Sequence, residues 1–147
     1  MKKIIILFSL LLTTGLSFIF ANENVNPDQK TLDRFKKEFI AAQSVTWEKQ
    51  DDFDKATFLL SGHRVIAWFN TAGQLEGSIR DIFFDQLPLI VMTAVDKRFA
   101  GADIYSVREI TRNELTYYSI TLEAKNKKYT VNVGSSGTIE EVEKVSK

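Results

Sequence analysis

The chain has 147 residues, with 19 basic and 19 acidic side chains, one histidine and no cysteine. Without cysteine there is no thiol nucleophile, thiolate metal site or disulfide, and the balanced charge leaves no cationic footprint for nucleic acid or anionic membrane. Apolar residues make up 44% of the chain, enough to build a core and to exclude a disordered one.

Residues 1–21 read as a cleavable signal peptide. Lys2 and Lys3 precede an apolar run from Ile4 to Phe20, and small Ala21 stands before polar Asn22, Glu23 and Asn24. The competing reading is a membrane anchor. A spanning helix needs about 20 apolar residues, whereas this run is interrupted by Ser9, Thr13, Thr14, Gly15 and Ser17. Removing the leader leaves 17 basic and 19 acidic side chains, a net charge of −2. It also leaves no membrane span and a periplasmic or secreted destination. Residues 22–26 read as a linker, and 27–147 as one domain.

Asn26-Pro27 predicts a helix start, with Asn26 as N-cap and Pro27 in the first helical position. Leu32, Phe35, Phe39 and Ala42 recur at helical spacing, which predicts a helix through about Gln43. Period-two patterning then predicts strands over 45–49, 53–61, 64–70 and 74–84, with a tight hairpin at Gly62-His63. Leu87-Pro88 predicts a second helix carrying Val91, Met92, Val95 and Phe99 and ending at Gly101. Four more strands follow over 103–111, 115–124, 127–134 and 138–142.

The halves match. Each reads as a helix followed by four strands, and Gly73 and Gly137, 64 residues apart, each close a four-residue turn. At that offset Ala56 and Phe58 match Ile120 and Leu122, while Ala67 and Phe69 match Val131 and Val133. The reading is an α+β fold of two tandem helix-plus-four-strand repeats, an antiparallel sheet with both helices on one face.

Alternation along each strand then assigns sides. Val65, Ala67 and Phe69 point to the helices, as do Ala56, Phe58 and Leu60. The open side receives Leu59, Arg64, Ile66, Trp68 and Asn70 from the first half, and Thr121 and Glu123 from the second. An exposed tryptophan among polar residues marks a candidate partner-binding face. The alternative is local packing, with Trp68 covered by the Phe53 hairpin, by Trp47 or by a second protomer.

Several features in order carry a resemblance. They are Phe39 before Val45-Thr46-Trp47, Ala56-x-Phe58 leading to Ala67-x-Phe69, Gly73, Leu87-Pro88, Ile104-x-x-Val107 and Gly137. Together they resemble the PepSY-like family of exported bacterial proteins, described as similar to beta-lactamase inhibitor proteins. The resemblance implies a helix–sheet repeat, no catalytic motif, and a binding or inhibitory role in which the sheet face meets another protein. Asp54 or Lys55 departs from it, standing where many members carry a tyrosine before the alanine.

Catalytic and metal chemistry finds little footing. His63 is the only histidine, in a predicted turn; Asp51, Asp52 and Asp54 lack calcium-loop spacing. No nucleophile elbow or Gly-rich phosphate cradle occurs. The sequence therefore reads as a non-enzymatic module without cofactor or metal, binding an envelope protein or peptide through its open face. A small-ligand-binding or envelope-sensing domain, with a pocket between helices and sheet near Trp47, Phe53 and Phe83, is the alternative. A hydrolase would need titratable groups converging on His63.

Overall fold

The structure, a computed structural model, describes residues 26–145. The expected signal peptide and all but the last residue of the linker lie outside the described residues.

The first helix, α1, spans Gln29–Glu38. Pro27 does not occupy its first position: the proline is buried, and extended Asp28 (ψ 150°) is the N-cap, its carbonyl accepting from the Leu32 amide. The helix also stops short of Gln43. Phe39 leaves helical geometry at ψ 59° and sets its ring 4.7 Å from that of Phe58. Tertiary packing, and not local propensity, sets this end.

Four strands follow: β1 (Gln43–Gln50), β2 (Phe53–Leu60), β3 (His63–Phe69) and β4 (Leu75–Ile82). The strand ends at Ile82, short of the expected Phe84, which instead opens a short 3-10 turn, Phe84–Gln86. The Gln86 side chain holds it by accepting from the Phe83 amide at 2.8 Å. The second helix, α2, spans Leu89–Arg98. Then come β5 (Asp103–Arg112), β6 (Leu115–Ala124), β7 (Lys127–Gly134) and β8 (Ile139–Lys144). All eight strands form one antiparallel sheet in sequential order. Among the described residues, no helix is long and apolar enough to cross a membrane.

Both helices cover the same face, because the strand register carries one side unbroken across the sheet. Ala67 lies opposite Ser78, Ser78 opposite Thr111, and Thr111 opposite Thr116. Under α1, Phe35 meets Ala56, Phe58, Val65, Ala67 and Phe69. Under α2, Val91 and Val95 meet Val107, Ile120, Leu122, Val131 and Val133. Each large side chain removed from water here contributes about 1.5–3 kcal/mol. Between the two cores the central strands turn polar: Arg80 pairs with Glu109 at 3.1 Å, and the Thr111 and Thr116 hydroxyls lie 3.1 Å apart.

The turns beneath the helices repeat one geometry. The Gly73 amide donates to the Asn70 carbonyl, and the Gly137 amide to the Gly134 carbonyl, both at 2.9 Å. Both glycines have positive φ, 75° and 83°. A Cβ on Gly73 would meet the backbone of α1 at 3.0 Å, and one on Gly137 the Ile90 carbonyl of α2 at 2.8 Å. Glycine is needed there for conformation and for clearance.

Candidate functional site

The face away from the helices is built in cross-strand rows. One row runs Thr57, Ile66, Ile79, Ile110, Tyr117 across β2 to β6. Its four apolar members are only half-buried, although each sits mid-sheet. The next row runs Lys55, Trp68, Gly77, Arg112. Gly77 carries no side chain, so a gap opens beside the indole. The result is a groove of about 450 Å³ lined by Trp68, Gly77, Ile79, Ile110 and Arg112, with Gln50 and Phe53 at its rim. Trp68 is fixed there, its Nε1 donating to Gln50 Oε1 at 3.1 Å.

On the other flank of the apolar row, Asp81 lies between Arg64 at 3.8 Å and Arg108 at 3.6 Å. Leu59 pairs with Arg64 across β2 and β3 and is exposed. Leu59, Arg64, Ile66 and Trp68 thus come together as one patch.

The other expected members do not join it. Asn70 is spent on its own turn: its Oδ1 accepts from the Ala72 and Gln74 amides, and its Nδ2 donates to Glu76 at 2.6 Å. Thr121 and Glu123 share the face but stand far along β6, Thr121 on the order of 20 Å from the Trp68 row. Glu123 instead accepts from the Tyr105 hydroxyl at 3.1 Å. That bond and the Glu123 charge raise the pKa of the Tyr105 phenol above its ordinary value. Sequence reasoning missed Gly77, Ile79, Asp81, Ile110, Arg112 and Tyr117. Alternation along β6 would have reached Tyr117, whereas β4 and β5 carry polar residues on their helix side and offered no inward side to extend.

The expected cavity near Trp47, Phe53 and Phe83 does not form. Trp47 points to the helix side, its ring 5.1 Å from Phe35 and 5.8 Å from Phe69, in space filled by aromatic rings. Phe53 borders the open-face groove, and Phe83 packs on His63 at 5.5 Å. Trp47 therefore does not cover Trp68; the Phe53 hairpin flanks it on one side only. His63 opens β3, where its neighbours are Phe83 and the Gln86 amide at 3.3 Å, neither of them titratable. Among the described residues no cluster of three His, Asp or Glu side chains is placed to hold a metal.

No family model matches the chain, and no curated protein matches it. Solved structures do. A DUF2874 family protein from Bacteroides ovatus ATCC 8483 is 23% identical, with 82% of this chain and 89% of that one covered at a TM-score of 0.71. A BLIP-like protein from Bacteroides fragilis NCTC 9343 is 20% identical, with 84% and 89% covered at a TM-score of 0.73. A protein from Bacteroides eggerthii DSM 20697 described as periplasmic is 17% identical, with 82% and 91% covered at a TM-score of 0.71. The described residues have the BLIP-like fold of these proteins: two helices on one face of an eight-stranded antiparallel sheet.

Proposed function

We propose that this chain is an exported, non-catalytic binding module that captures a protein or peptide on its open sheet face. The observation that carries the reading is the apolar row Ile66, Ile79, Ile110 and Tyr117, left uncovered beside the Trp68 groove. A rigid indole beside an empty notch, rimmed by arginines, suits an interface with an apolar centre and polar edge. Export to the periplasm or beyond is supported by the leader-like residues 1–21 and by the periplasmic description of one structural relative. Membership of the PepSY-like family rests on the order of motifs given above.

We infer also that the two halves are copies of one unit. Phe39 and Phe99 end their helices alike, at φ −124° and −126°, 60 residues apart. Strand irregularities recur at Gln43/Thr46 and Ile104/Ser106, and again at Trp68/Phe69 and Asn132/Val133. The spacing grows from 60 to 64 because β5 and β6 have 10 residues each where β1 and β2 have 8. The lengthened β5–β6 hairpin and the β1–β2 hairpin flank the Trp68 groove, so the added residues would serve the site.

The test is affinity purification from the native envelope with wild type, Trp68→Ala and Ile79→Asp, each checked for folding by circular dichroism. Partners retained by wild type should be lost from both variants. An identical set of partners with all three proteins would sink the reading.

A further inference from the structure

The open face is unevenly charged. Over β1–β5 it presents Lys55, Arg64, Arg108 and Arg112 against Glu48, Asp81 and, at the far end of β5, Asp103. Over β6–β8 it presents Lys128 against Glu123, Glu141 and Glu143. The apolar row lies in the cationic half.

Pairing within the face sharpens the imbalance. Lys55 is matched by Glu48 at 2.8 Å. The three arginines are not matched one to one. Arg64 and Arg108 share Asp81 at 3.8 and 3.6 Å, longer than the roughly 2.7–2.9 Å of a charge-assisted hydrogen bond. Arg112, at the groove, has no ion pair among the described residues. Arg64 and Arg108 thus share one carboxylate, and Arg112 has none within ion-pair distance, although Asp51 and Glu76 also line the groove.

We propose that the occupant of this face is an acidic segment of another protein, with an aromatic or aliphatic anchor flanked by Asp or Glu. The anchor enters the notch over Gly77, against Trp68, Ile79 and Ile110. One flanking carboxylate meets Arg112, and another meets the Arg64–Arg108 pair across the row. The planar guanidinium fork matches a carboxylate in two hydrogen bonds, which a lysine would not do. The cationic field also speeds encounter with an acidic chain, a salt-sensitive effect. The proposal rests on the reading of the open face as the binding surface and adds the chemistry of the partner.

A random 12-residue peptide display library panned against the purified protein tests both. Recovered peptides should carry one Phe, Tyr, Trp or Leu among Asp and Glu residues. Their affinity should fall about tenfold or more with Trp68→Ala and with Arg112→Glu, and should weaken as salt rises. Arg112→Gln, which removes charge without reversing it, should give a smaller loss in the same direction. Peptides lost with Trp68→Ala but free of acidic enrichment and indifferent to Arg112→Glu overturn the acidic partner and leave the face standing. Peptides indifferent to both substitutions overturn the face as well, and no enriched peptide overturns the acidic segment. Sedimentation supplies the remaining arm. Dimerisation abolished by Glu141→Lys with Glu143→Lys would seat a second copy's acidic half on the face, overturning a foreign segment.

Discussion

Trp68 and Gly77 stand directly opposite each other across β3 and β4, and the hydrogen that serves Gly77 as a side chain leaves the indole its open flank. The same glycine holds the central strands close. A Cβ built there would lie 2.8 Å from the Thr111 carbonyl oxygen of β5. Gly77 thus joins the groove to the packing of the sheet's middle.

Gly77→Ala should therefore be destabilising as well as groove-filling. The obstructing atom is backbone, which yields only if β4 and β5 move, so the cost should be about 1–3 kcal/mol. Chemical denaturation measures it. An unchanged midpoint would show that the two strands separate there without penalty.

Alternation made the sides of β2, β3, β6 and β7 legible, because those strands cross a mainly apolar core: Ala67, Phe69, Val131 and Val133 are all fully buried. It was silent on β4 and β5. Their helix-side residues Ser78, Arg80, Glu109 and Thr111 lie in the polar gap between α1 and α2, so neither side of these strands reads as inward. That gap hid Ile79 and Ile110, the centre of the open face. The start of α1 misled for a different reason. Asn26-Pro27 has good local capping chemistry, but the buried proline ring is used for packing. Asn70 was misassigned because its parity is right while its side chain is consumed by a turn.

Gly62 and Gly137, both at positive φ, should respond differently to alanine. Gly62 has φ 80° with nothing within 4 Å of a built Cβ, so Gly62→Ala meets only the backbone penalty, about 1 kcal/mol. Gly137 has φ 83° and the Ile90 carbonyl at 2.8 Å, so Gly137→Ala adds displacement of α2. Its loss should exceed that of Gly62→Ala by about 1–2 kcal/mol. Equal losses would mean that the β7–β8 turn does not support the helix.

Thr31 and Asp54 tie α1 to β2. Both are buried, and the Thr31 hydroxyl donates to Asp54 Oδ2 at 3.3 Å while Lys49 Nζ reaches Oδ1 at 3.0 Å. Lys49 is half exposed, so Lys49→Ala should cost no more than about 1 kcal/mol. Asp54→Ala strands a buried hydroxyl and should cost about 1–3 kcal/mol. In a double-mutant cycle with Thr31→Val the pair should couple by about 0.5–1.5 kcal/mol. Strict additivity would show that the long hydrogen bond contributes nothing.

Tyr118 links the polar gap to stability at high pH. Burial raises its phenol pKa above the usual value near 10, the Glu109 carboxylate adds to the rise, and the Arg80 guanidinium opposes it. The folded state therefore holds the proton more tightly than the unfolded chain does. The resulting stabilisation is complete below the unfolded pKa, near 10, and is lost as pH climbs through that value toward the higher folded one. Denaturation midpoints should fall across this alkaline window in the wild type. Tyr118→Phe, which keeps the ring and removes the titrating group, should flatten the fall while leaving neutral-pH stability nearly unchanged. Glu109→Gln should lower the folded-state pKa toward the unfolded value, so the loss keeps its onset near 10 but ends at lower pH and is smaller. Parallel alkaline curves for wild type and Tyr118→Phe would assign the loss to other tyrosines or lysines and remove Tyr118 from the account.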